Sequence, residues 1–271
     1  MRLGRRSSNV QDRRGMGVPL AAGGGIGAVV IALLVIFLGG DPSEVLQTAG
    51  SETPASAPSP DDPQAVFVSQ VLAETEDSWR EIFRSQVGRE YEDPQLVLFT
   101  DLVESECGMG QAATGPFYCP LDGKIYLDLS FFRELEERFG APGDFARAYV
   151  VAHEVGHHVQ TLLGITQQVH AARSQASQAE GNRLSVRQEL QADCLAGAWA
   201  HHANRERAIL EEGDVEEGLA AAAAIGDDRI QRETRGTIAP ESFTHGTSAQ
   251  RLEWFRRGLR SGSVEQCDTF R

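Results

Sequence analysis

At 271 residues the chain has room for one globular domain with accessory segments or for two small domains, and a hydrophobic fraction of 41% excludes a wholly disordered polymer. Its formal net charge is −14, from 39 acidic against 25 basic residues, with Lys124 the only lysine, which removes any broad electrostatic reason to bind nucleic acid. None of the four cysteines is spaced C-x-x-C, so neither a zinc ribbon nor a thioredoxin-type site is signalled.

The charge is polarised along the chain. Residues 1–19 carry Arg2, Arg5, Arg6, Arg13 and Arg14 against Asp12, a basic segment expected on the cytoplasmic side of a membrane. Leu20 to Leu38 reads LAAGGGIGAVVIALLVIFL, without one charge and close to the roughly 20 residues that a helix needs to cross the hydrocarbon. The pattern predicts one transmembrane helix over 20–38, with the N-terminus inside and the acidic remainder outside, anchored in the cell membrane. A cleaved signal peptide shares this charge pattern, but the nearest A-x-A site, Ala55-Ser56-Ala57, lies far beyond the apolar run. Residues 39–62 are small, polar and proline-containing and predict a flexible linker, which leaves 63–271 as the folded domain.

Within that domain, apolar spacing predicts a helix over 64–87 and a short strand over 95–99. A second strand is predicted over 124–129 (KIYLDL), and its alternation does not distinguish a sheet edge from a sheet centre. A short helix over 130–139 follows. Asp144 then reads as the N-cap of a long helix to Leu163, with Gly164 as its terminator. Further helices are expected over 184–207, 215–235 and 248–259. The class is α+β, mainly helical, with a small sheet.

The long helix contains His153-Glu154-Val155-Gly156-His157, an H-E-x-x-H. Residues four apart lie on one helical face, so His153 and His157 can present two imidazoles to one Zn2+ ion. Glu154 is turned about 100° from His153, where it can act as base toward water without binding the metal. Downstream, Glu189 and Asp193 are also four apart on a predicted helix. Glu189 is the expected third ligand, and Asp193 the residue that holds a ligand histidine's outer N–H. The rival donors are weaker. His158 points off the site, His170 lies in a polar loop, and His201 and His202 sit at a helix end where they can cap carbonyls.

RRSSNVQDRRG, KIYLDLSFFRELEERFGAPGDFARAYVVAHEVGHHVQ, RQELQADCLAGAWA and SFTHGTSAQRLEWFRRG together resemble the bacterial "putative neutral zinc metallopeptidase" family over nearly the whole chain. The resemblance implies a zincin-like domain behind one N-terminal transmembrane segment. It implies His153, His157 and Glu189 as zinc ligands and Glu154 as general base. The pairing of H-E-x-x-H with E-x-x-x-D is also similar to thermolysin-like and CAAX-protease groups. In zincins an edge strand pairs with extended substrate, a second duty open to KIYLDL. His245, in FTHGTS before the last helix, is similar in spacing to segments that follow the zinc site in related proteases. It is expected to stabilise an oxyanion, with Arg251 and Tyr149 as weaker candidates.

Cys107 and Cys119 share a Gly/Pro-rich loop, and export would favour a disulfide there and a second between Cys194 and Cys267; three connectivities remain open. The functional expectation is a membrane-anchored zinc metallopeptidase acting on polypeptide. The competing expectation is a non-catalytic zincin-like module that binds peptide or a membrane partner, and Glu154 discriminates, because such a module has no use for a base.

Overall fold

The strands Gln95–Phe99 (β2) and Lys124–Asp128 (β6) are apolar on both faces because both faces are covered. Leu96, Leu98, Ile125 and Leu127 point into the main helical core. Val97, Phe99 and Tyr126 point the other way, into a smaller cluster with Val103 and Cys119. This is a computed structural model, and it describes residues 1–15 and 56–271. β2 and β6 pair in parallel at the centre of a four-stranded sheet. Val10–Asp12 (β1) adds in parallel to β2, and Phe117–Cys119 (β5) adds antiparallel to β6 at the opposite edge. Leu102–Ser105 (β3) and Gly108–Gln111 (β4) form a separate hairpin. The KIYLDL strand is therefore interior, and the edge is β5.

Eight α-helices are present among the described residues. Pro63–Ile82 (α1) starts where Asp62 accepts hydrogen bonds from the Gln64 and Ala65 amides. Ser130–Glu137 (α2) leads into Asp144–Leu162 (α3), whose N-cap is Gly143 rather than the expected Asp144. Asp144 instead occupies the first helical position, where its charge complements the helix dipole. Ile165–Gln175 (α4) replaces the expected loop around His170. Gln178–Arg207 (α5) begins six residues earlier than expected, capped by Ser177. The predicted helix over 215–235 is two, Asp214–Ala224 (α6) and Asp227–Arg235 (α7), broken so that the Asp227 carboxylate can accept the Thr244, His245 and Gly246 amides. Ser248–Ser261 (α8) carries a capping box between Thr247 and Gln250.

The expected span 20–38, and 39–55 of the expected linker, lie outside the described residues. No described helix is long and apolar enough to cross a membrane. The expectation that 1–19 forms a basic segment apart from the domain is corrected for residues 1–15, which are built into it. Besides the β1–β2 pairing, Arg5 bonds Glu76 and Asp77 at 2.8 and 2.7 Å. Ser7 and Asn9 both donate to the buried Glu76 carboxylate. The Met1 ammonium donates to Asp144 at 2.6 Å, and Arg14 pairs with Asp62. Of the five arginines that suggested membrane orientation, Arg2, Arg5 and Arg14 thus have specific carboxylate partners, which charge counting along a sequence cannot reveal.

Disulfides Cys107–Cys119 and Cys194–Cys267 tie the hairpin turn to β5 and α5 to the C-terminal segment. Helix α8 lies almost in contact with α5, because a Cβ on Gly258 would stand 1.8 Å from the Cys194 carbonyl oxygen. Gly258→Ala is expected to separate the helices and cost about 3 kcal/mol or more. Thermal unfolding checks this, and an unchanged midpoint would show that the contact is not tight.

Candidate metal centre

Two helices supply the site, α3 with H-E-x-x-H and α5 with Glu189 and Asp193. Gly156 permits their approach, since a Cβ there would lie 2.9 Å from the Ala192 carbonyl oxygen. Across this contact His153 Nε2 stands 3.2 Å and His157 Nε2 3.4 Å from the Glu189 carboxylate. One ligand atom from each residue falls within 4.8 Å of the others.

The outer nitrogens fix what the inner ones can do. His153 Nδ1–H donates to Asp193 Oδ1 at 2.9 Å. Asp193 is fully buried and is held as an anion by Arg251, whose guanidinium donates to both carboxylate oxygens at 2.8 and 2.9 Å. Tyr149 donates to the same carboxylate. His157 Nδ1–H donates to Gln160 Oε1 at 2.9 Å. Gln160 is oriented in turn because its amide N–H groups go to the Gln188 carbonyl and to Gln191, which donates to the Cys267 carbonyl. Both Nε2 lone pairs therefore face a carboxylate, an arrangement that repels unless positive charge lies between them. Two imidazoles and a carboxylate with fixed outer N–H groups are a fitting donor set for zinc.

Protonation shows the same demand. Burial lowers the His153 pKa, but the Asp193 and Glu189 carboxylates outweigh it and push it up to about 10. Burial opposes a raised value at His157 as well, and Glu189 overcomes it. Burial would raise the pKa of Glu189, yet the imidazoles hold its carboxyl well below the usual carboxylate range.

Glu154 and His245 line the same cleft, about 570 Å³, as the three donors. His245 is half exposed and bonds Asp227 at 3.3 Å through Nδ1. That hydrogen bond raises its pKa, with burial opposing. Arg251 and Tyr149 are buried against Asp193, and of the two Arg251 also lines the cleft. His158 is off the metal. Its Nε2–H donates to the Glu92 carbonyl at 2.7 Å, leaving Nδ1 to accept from the Tyr118 hydroxyl of β5 at 3.2 Å. His170 is exposed, and His201 and His202 bond carbonyls at the end of α8 rather than of their own helix. Sequence reasoning missed Gln160 and Gln191. Gln160 lies three residues beyond His157 on the same helix, the one signal that could have found it.

Each imidazole must release its proton before its Nε2 lone pair can bind a metal. Zinc affinity is therefore expected to keep rising with pH, with proton release, from the ordinary imidazole range up to about 10, where His153 titrates, in competition against a chromogenic chelator. Gln160→Leu, which frees His157 Nδ1, is expected to weaken binding by roughly 10- to 100-fold. A pH-independent affinity, or an unweakened variant, contradicts this account.

The family model described as "Putative neutral zinc metallopeptidase" matches residues 1–270. "Uncharacterized protein YpfJ" of Escherichia coli K12 is 47% identical over 279 residues, covering 98% of this chain and 96% of that protein. "Uncharacterized protein Rv2575" of Mycobacterium tuberculosis is 46% identical over 190 residues, 66% of this chain and 63% of its own. No solved structure matches the chain. With its two imidazoles and one carboxylate inside a match that runs almost from end to end, the chain belongs to the "putative neutral zinc metallopeptidase" family.

Proposed function

We propose that the protein is a zinc endopeptidase that hydrolyses extended polypeptide in the cleft above α3. The observation that carries this reading is the convergence of His153, His157 and Glu189 in a cleft that also holds Glu154. Zinc bound there would supply Lewis acidity, which lowers the pKa of water to about 7. The rest of the chemistry falls to this chain's own residues. Glu154 takes a proton from the attacking water as its oxygen bonds the carbonyl carbon. It returns a proton to the departing amine as the C–N bond breaks. His245, kept protonated further up the pH scale by Asp227, donates a hydrogen bond to the oxygen that gains negative charge. Edge strand β5 lines the cleft through Phe117 and Tyr118 and offers backbone groups to an extended peptide. The same strand is fixed to α3 by the Tyr118–His158 hydrogen bond, so the peptide's track and the metal face keep one spacing.

The two disulfides, with no free cysteine in the chain, support an oxidising, extracytoplasmic location for the domain. Residues 1–15 share that body, so the proposal places them on the same side. Membrane attachment through the charge-free run Leu20–Leu38 belongs to the proposal.

Glu154→Gln is expected to retain stoichiometric zinc and to lose roughly 10²- to 10⁴-fold in turnover of a denatured protein. Hydrolysis at the unaltered rate by the zinc-loaded variant would overturn the mechanism. For location, single cysteines introduced as Ser8→Cys and Leu121→Cys, both at exposed positions, are expected to react with a membrane-impermeant maleimide in intact cells. Protection of position 8 alone would place residues 1–15 across the membrane from the domain.

A further inference from the structure

A second cavity, of about 460 Å³, is bounded by α4, α5 and the segment that follows α8. It shares no lining residue with the cleft. Its volume falls within the roughly 300–1,000 Å³ usual for small-molecule sites. Val169 and Ala172 of α4, Leu184 and Leu195 of α5, and Val264 and Phe270 of the last segment give it apolar walls. An apolar occupant gains by removing that surface from water, whereas a mainly polar one would lose hydration without return.

Two polar features narrow the class of occupant. Gln191 also lines the cavity and is only 5% exposed. It follows Glu189 by two residues, about 200° round α5, so it faces away from the donors. Its Oε1 accepts from Gln160 at 3.0 Å, and one of its amide N–H groups donates to the Cys267 carbonyl at 3.1 Å. The second N–H has no acceptor among the described residues, and a buried donor calls for one. At the rim, Arg271 is shared between Glu265 at 3.3 Å and Asp268 at 2.8 Å, so two carboxylates face one guanidinium. The residual negative charge repels a carboxylate or phosphate head. The fitting occupant is therefore uncharged, with an alkyl body and one oxygen that accepts.

The same glutamine stands in the line that orients a zinc donor. Gln160 accepts from His157 Nδ1–H, and its own amide is held by Gln191 and the Gln188 carbonyl. An occupant that takes the free N–H of Gln191 fixes that side chain in the rotamer that serves Gln160, so less freedom remains to be lost when His157 binds metal. We propose that this cavity binds an uncharged alkyl compound carrying a hydroxyl or carbonyl oxygen, and that its occupancy tightens zinc binding through Gln191, Gln160 and His157. The coupling rests on the metal-site reading above. It is reciprocal, so zinc strengthens alkyl binding by the same factor, about 5-fold or more.

The test uses decanol and the full chain. Calorimetric titration of the metal-free chain is expected to show one saturable decanol site, with decanoate weaker by about 5-fold. Ala172→Trp, at an exposed position of the wall, fills the cavity and is expected to abolish that binding while leaving zinc affinity unchanged. With decanol at saturation, chelator competition is expected to show zinc held about 5-fold or more tighter in the unaltered chain, but not in Gln160→Leu. Decanol affinity measured with and without zinc reads the same factor with no substitution at all. Four results each overturn the inference: no decanol site, binding that Ala172→Trp leaves intact, decanoate bound as tightly as decanol, or zinc affinity indifferent to decanol. All four leave the zinc site standing, whereas a chain that binds decanol but no zinc overturns the metal reading and the coupling together.

Discussion

The distance between α3 and α5 at Gly156 and Ala192 governs everything functional in this molecule. Glu189 is separated from His153 by 36 residues of chain, including all of α4, yet its carboxylate must meet two imidazoles to within a few tenths of an ångström. Side chains alone cannot deliver that tolerance, because Glu has three rotatable bonds and would lose its freedom at each. The backbone delivers it instead. With no Cβ at Gly156, the two helices approach until a methyl group there would stand only 2.9 Å from the Ala192 carbonyl oxygen. The glycine immediately before the second histidine is thus a packing device that the donor geometry depends on.

Close approach creates an electrostatic problem that the rest of the fold resolves. Glu189 and Asp193 bring two carboxylates into the interior on neighbouring turns of one helix, and a buried charge without a partner costs several kcal/mol. Asp193 finds its partner in Arg251, which is 1% exposed and arrives from α8, nearly 60 residues later. Glu189 has only the imidazoles and whatever cation they hold. One carboxylate is satisfied permanently by protein, and it sets the tautomer of His153. The other is left to the metal. The Cys194–Cys267 bridge, one residue beyond Asp193, and the tight α5–α8 contact at Gly258 keep Arg251 from withdrawing. Losing Arg251 would strand a buried anion behind the ligand, at a cost of roughly 3–5 kcal/mol.

The triad and its Asp193 support could be read from the chain because helical period converts spacing into direction: i and i+4 share a face whatever the tertiary fold. The same rule placed His158 off the metal. It fails where position depends on a partner elsewhere. Gln160 and Gln191 look like ordinary polar helix residues until α3 and α5 face each other. Strands β1 and β5 have three residues each, too few for alternation to register. The break between α6 and α7 is imposed by Asp227 reaching across to residues 244–246, a tertiary demand overriding a continuous local preference. The arginines of residues 1–15 misled for the same reason. A run of like charge before an apolar stretch is legible, whereas the buried Glu76 that neutralises Arg5 is visible only in three dimensions.

That N-terminal segment also decides which sheet edge stays open, the edge to which the proposed peptide substrate would add. A four-stranded sheet has two edges, and unpaired edges invite indiscriminate pairing. β1 takes one side of β2, and its own outer face is met by Ser56 through a bridge to Asp12. The other edge, β5, is bounded by Pro116 and Pro120, which lack amide donors, and by the Cys107–Cys119 bridge. Promiscuous extension is thereby blocked at both ends of β5, and only the short stretch beside the cleft stays open. If the β1 segment were absent, β2 would expose a longer apolar edge than β5 does, remote from the metal and able to capture extended chains unproductively. Inclusion of residues 1–15 in the family match is consistent with a role for them in the same unit as the zinc site, as a strand that closes the wrong edge.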